Sequence, residues 1–109
     1  MGTAHTKKAM PFAIITRDKP DSAGVREAHQ SAHKAYLDKH KEVLLAAGAM
    51  LDDEATKAHG GILLVDLESR EAVEEFVQND PFQAAGLFEE VLITRWRKAF
   101  YDRQRLIEF

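Results

Sequence analysis

The sequence predicts an α+β domain of ferredoxin-like order, βαββαβ, with a four-stranded antiparallel sheet and two helices on one face. Three observations lead there. The length of 109 residues suits one domain and leaves no room for two. Strand-like and helix-like runs follow one another as β-α-β, then β-α-β. The runs Phe12 to Ile15 and Ile62 to Val65 are also apolar at consecutive positions, as in strands covered on both faces. Two helices cover only one face, so the other is expected to meet the sheet of a second copy, giving a homodimer.

Each element has its own signal. Residues 1–10 read as a flexible polar N-terminal segment, 11–100 as the domain and 101–109 as a C-terminal tail; His5 is assigned no role. Pro11 to Thr16 is rich in β-branched residues and reads as the first strand. Asp18, Pro20 and Asp21 supply turn chemistry, and Asp21 or Ser22 is placed to cap a helix. That helix is expected to run to about Ala47 and to stop at Gly48. A short strand over Ala49 to Glu54, a turn at Gly60-Gly61 and a strand over Ile62 to Leu67 follow. Ser69 caps a second helix, Arg70 to about Asn79, and Asp80-Pro81 ends it, because a residue before proline disfavours helical angles. A helical turn over Pro81 to Ala85 stops at Gly86. Phe88 to Phe100 reads as a long last strand, and the tail with Leu106, Ile107 and Phe109 is expected to dock.

Composition removes several function classes. Apolar residues make up 45% of the chain and net charge is −3, with acids and bases interspersed. Phosphate backbones need concentrated positive charge, so nucleic acid is not an expected partner. No cysteine is present, which excludes thiolate nucleophiles, disulfides and Cys-based zinc sites and fits a cytoplasmic location. No apolar run reaches the roughly 18 residues of a membrane span, and no signal peptide is visible in Met1 to Lys8.

The first helix carries the most informative pattern. At about 100° per residue, Val25, Ala28, Ala32, Tyr36 and Val43 form an apolar stripe. His29, His33, His40 and Arg26 fall beside it rather than on the solvated face. Polar groups next to a buried stripe need partners or water, and a pocket at the helix–sheet edge supplies both. Imidazole changes charge near neutral pH, which suits His33 to proton transfer; the structural alternative is a half-buried rim histidine bonded to backbone. His29 and His33 are four apart, yet no third metal ligand is evident, and no metal is expected. Asp80 before Pro81 is a natural helix cap, and its second oxygen is free for an imidazole.

The run Arg26-x-x-His29-x-x-x-His33-x-x-Tyr36-Leu37 resembles the helix motif of YciI-like proteins. So do Ala47-Gly48-Ala49, Gly60-Gly61, Asp80-Pro81-Phe82-x-x-Ala85-Gly86-Leu87-Phe88 and the ending Thr94 to Phe100. The resemblance spans about Pro11 to Phe100. It implies a dimeric α+β barrel and an active site built on a His–Asp pair, which falls on His33 and Asp80. Family members with assigned chemistry include dehydrochlorinases of chlorinated hydroxyquinols. The implied substrate-binding set is Arg26, His29, Tyr36 and Phe82, with no cofactor. The expected function is acid–base chemistry on a small organic molecule: elimination, isomerisation or a lactone-type reaction. The competing readings are a non-catalytic binding or sensing domain and a plain interaction domain. Trp96 and the tail are the candidates to cover the pocket.

Overall fold

A computed structural model describes residues 10–108 of the chain, so the N-terminal segment up to residue 9, with His5, and Phe109 lie outside the described residues. Strand β1 (Phe12–Asp18) leads into helix α1 (Ala23–Lys39). Strands β2 (Leu44–Leu51) and β3 (Ala58–Val65) form a hairpin. Helices α2 (Arg70–Gln78) and α3 (Pro81–Ala84) precede β4 (Phe88–Arg95), and a small hairpin, β5 (Phe100–Tyr101) with β6 (Gln104–Arg105), closes the chain. The four long strands pair antiparallel in the order β2-β3-β1-β4, so β1 lies at the centre, with β3 on one side and β4 on the other. This is the ferredoxin-like α+β fold the sequence predicts. Among the described residues, no helix is long and apolar enough to cross a membrane.

Register sorts the side chains. Phe12, Ile14 and Thr16 of β1 stand opposite Val65, Leu63 and Gly61 of β3 on the helix-covered face. Phe12, Ile14, Leu63 and Val65 join Val73, Phe76 and Val77 of α2 in the buried core. Tyr36 and Leu37 from the second half of α1 pack against it. On the opposite face, Ile62 is 44% and Leu92 56% exposed, beside the half-buried Ile15 and Leu64. Apolar side chains therefore do stand on both faces of the central strands.

Four boundaries differ from expectation. Helix α1 ends at Lys39, not near Ala47; a short 3-10 turn over Lys41–Val43 follows, and β2 begins at Leu44. Residues 44–47 are good helix formers, but pairing Leu44 with Val65 and Ala47 with Leu63 gives them ladder bonds that outweigh that preference. Gly60 and Gly61 lie inside β3 rather than in a turn. A Cβ on Gly60 would run into the Thr16 carbonyl and the Met50 methyl, so glycine is required by close approach. The actual turn is 52–57. Lastly, β4 stops at Arg95, and the chain turns back at Asp102 and Arg103, both left-handed, with the Tyr101 hydroxyl donating to the Leu45 carbonyl at 3.0 Å.

The 52–57 turn is organised by one carboxylate. Asp52 accepts from the Lys57 amide at 3.0 Å and from the amide and hydroxyl of Thr56, each at 2.7 Å. These donors, the Lys57 amide foremost, hold its carboxyl at about 2, below its ordinary 3.8. A carboxyl lowered in the folded state stabilises the turn above the ordinary carboxylate range and loses that contribution as pH falls toward the lowered value. In a carboxyl NMR titration, Asp52 is expected to turn near pH 2. Asp52→Asn should speed amide exchange at Thr56 and Lys57 at neutral pH; a midpoint in the ordinary range would refute this account.

The inward face of α1 is also not the one its apolar stripe indicates. Val25 is 37% exposed and Ala28 and Ala32 are exposed, while Arg26, His33, Tyr36, Leu37 and His40 turn inward. That face centres near His33, roughly 80° round from Val25. Alanine side chains offer little area to bury. Arg26, His33 and Tyr36 find polar partners on the sheet, on the residue that caps α3 and on α2, which removes the cost of turning them in, while the His40 ring packs on Tyr36 and Phe76.

Candidate active site

Because the core gathers under α2 and the second half of α1, the first half of α1 stands off the sheet. The gap is a cavity of about 240 Å³. Its helix wall is Arg26, Gln30, His33, Lys34 and Leu37, spaced to share one face of α1. Its sheet wall carries almost no side chains: Ala47, Gly48 and Ala49 of β2 and Gly60 and Gly61 of β3. Thr16, Leu63 and the aromatic rings of Phe82 and Phe88 complete it.

Helix α3 delivers Asp80. The residue is buried, caps α3, and accepts from the Phe82 amide at 2.9 Å through Oδ1. Pro81 supplies the first helical position, where its missing N–H costs nothing. Gly86, with φ of 74°, turns the chain out again toward β4. Across from it, His33 sets Nδ1 at 2.8 Å from Asp80 Oδ1 and 3.1 Å from Oδ2. Its ring stacks on Phe82 with centroids 4.0 Å apart and planes inclined by 15°. A carboxylate can only accept, so the neutral tautomer that fits this contact carries its proton on Nδ1 and leaves the Nε2 lone pair free.

A second ion pair stands at the N-terminal end of the cavity. Arg26 reaches Asp18 twice, Nε to Oδ2 at 2.7 Å and Nη2 to Oδ1 at 3.1 Å. Nη2 also donates to the Gly60 carbonyl at 3.3 Å, and the guanidinium lies 4.8 Å over the Phe82 ring.

Of the six catalytic and substrate-binding residues expected from the sequence, Arg26, His33, Asp80 and Phe82 meet at this cavity. Two do not. His29 is exposed on α1 and does not line it. Tyr36 lies at the α1–α2 contact, where its hydroxyl donates to the Phe76 carbonyl at 2.7 Å. Burial, then the charges of Asp80 and Glu75, push its phenol above the ordinary range. Trp96 does not line the cavity either. Sequence reasoning missed Thr16, Asp18, Gln30 and Lys34. Alternation along β1 puts Thr16 on the face of Phe12 and Ile14, a usable signal. Asp18 was legible as a counter-charge only if Arg26 had been placed facing inward. Among the described residues, no group of three or more His, Cys, Asp or Glu side chains is arranged to hold a metal.

Comparison with known proteins agrees with the fold and gives the family. Two proteins called YciI, from Escherichia coli O6:H1 and from Shigella flexneri, are each 35% identical to this chain over 98 residues, covering 84% of it and all of theirs. A similar solved structure is that of the 5-chloro-2-hydroxyhydroquinone dehydrochlorinase TftG from Burkholderia phenoliruptrix, complexed with 2,5-dihydroxybenzoquinone. It is 36% identical with a TM-score of 0.76, over 81% of this chain and 94% of that one. The YCII-related domain model matches residues 10–97, which takes in the whole sheet, both cavity walls and the His33–Asp80 contact, and the chain belongs to that family.

Proposed function

We propose that this protein is an acid–base enzyme that acts without a cofactor on a small organic molecule, with His33 as proton acceptor and Asp80 as its partner. The observation that carries the reading is the 2.8 Å contact between His33 Nδ1 and Asp80 beside a cavity. Asp80 fixes the imidazole tautomer and stabilises its cation once a proton arrives. Nε2 takes a proton from an acidic O–H or C–H of the ligand. The electron pair left behind moves into the ligand's π system. Either that pair forms a new π bond while a leaving group such as chloride departs from an adjacent saturated carbon with the electrons of its own bond, His33 then passing its proton to water, or His33 returns the proton at a different atom. The first course is elimination and the second isomerisation.

Likeness to a dehydrochlorinase makes 5-chloro-2-hydroxyhydroquinone the first compound to try. Chloride release by the wild type that disappears in His33→Gln would support the reading. Binding of this or related quinols and lactones without turnover of any would overturn it in favour of the sensing domain. We also infer that a second copy covers the sheet face bearing Ile62 and Leu92. Sedimentation at micromolar concentration should give a dimer for the wild type and a monomer for Leu92→Glu; a monomeric wild type would refute this.

A further inference from the structure

We propose that Asp18 is a positioning residue that turns Arg26 into the receptor for a ligand oxyanion. The inference rests on the acid–base reading above and extends it to the ligand's class: a small planar molecule with a deprotonated enol or phenol oxygen conjugated to the atom that loses its proton. The pair is well built. Arg26 and Asp18 side chains are only 13% and 6% exposed, and their contact is a two-pronged fork. Three elements fix the guanidinium: Asp18 from β1, the Gly60 carbonyl from β3 and the Phe82 ring from α3. Those contacts use Nε and Nη2. The two N–H groups of Nη1 have no acceptor among the described residues, although Arg26 lines the cavity. Asp66 Oδ1 is the one buried side-chain polar atom without a partner among the described residues, so Nη1 is open to solvent, and an oxyanion entering the cavity would take the place of water on it with a charge-assisted hydrogen bond.

Charge and placement point the same way. Lys34 lines the same wall with no carboxylate partner among the described residues, which adds a second cation facing the ligand. Both the Arg26 guanidinium and the His33 imidazole lie against the Phe82 ring, so receptor and base address one bound molecule. The conjugated oxygen already carries charge in the bound ligand and gains more as the proton leaves for Nε2, and both meet a donor already in position. Asp18 is needed because Arg26 has an alternative. It also borders an open groove holding Asp21 and Glu27, whose carboxylates would draw a released guanidinium away from the cavity.

The test is binding of 2,5-dihydroxybenzoquinone, followed by its visible absorbance, to the wild type, Asp18→Asn, Arg26→Lys and the double variant. Each single variant should weaken binding by about 10-fold or more, the loss of a charge-assisted hydrogen bond. The double variant should be no worse than either, because both changes remove one receptor. His33 imidazole NMR shifts should stay as in the wild type, which a general structural collapse would not leave intact. A folded Asp18→Asn or Arg26→Lys that binds as tightly as the wild type overturns the proposal, as does a wild type that ignores the probe. The two readings fail separately. Binding that needs Asp18 and Arg26, with no turnover of any quinol, sinks only the acid–base step. Turnover that needs His33, with an unchanged KM in Asp18→Asn, sinks only the receptor.

Discussion

His33→Ala is expected to lower turnover by about 10²–10⁴-fold, the range for removing a general base, while the domain stays folded. The side chain is half-buried, makes one polar contact and contributes little to the core under α2. Its removal strands Asp80 less than it first looks, since Oδ1 keeps the Phe82 amide at 2.9 Å. The fold should therefore survive where the chemistry does not. Circular dichroism and a thermal melt check the first half, and steady-state assay with the best quinol checks the second. Loss of the folded state would make His33 a structural residue. Asp80→Asn should fall between wild type and His33→Ala, because the amide still caps α3 but no longer stabilises an imidazolium.

Phe82→Ala is expected to cost about 3–5 kcal/mol, the range for truncating a buried phenylalanine. Phe82 is 1% exposed, among the largest fully buried side chains. It also carries the site: His33 stacks on it, Arg26 lies over it, and Phe88 meets it edge-on with centroids 6.2 Å apart. At roughly 4–8 °C per kcal/mol for a domain of this size, the melting temperature should drop by well over 10 °C. Unlike His33→Ala, this change should harm stability and ligand binding together. A melt within a few degrees of the wild type would mean that the ring is not the support described.

Much of the architecture was legible because local signals agreed with the global order. Ser69 does cap α2, accepting from the Ala72 amide at 3.1 Å, and Asp80 does cap α3. Apolar residues at consecutive positions marked β1 and β3 as two-sided. What was lost depends on neighbours distant in sequence. The end of α1 is decided by β3, which recruits Leu44 to Ala47 into the sheet. Gly60 reads locally as a turn and is in fact a point of close approach to Thr16. The orientation of α1 is set by Asp18, Asp80 and the Phe76 carbonyl, which no helical wheel contains. The His33–Asp80 contact joins residues 47 apart, and only the family resemblance drew them together beforehand.

Helix α1 buries no residue completely. Its hold on the rest of the molecule is a short row of side-chain contacts from Arg26 to His40, in which Tyr36 and Leu37 reach the apolar core. Such an element opens more readily than the sheet and α2, and its amides should exchange with deuterium sooner than those of β1 or β3. One wall of the cavity is thus the least anchored helix in the domain. A molecule that bridges Arg26 and His33 would tie the loose wall to the firm one, and slowed exchange along α1 would report occupancy even for a compound that is never turned over.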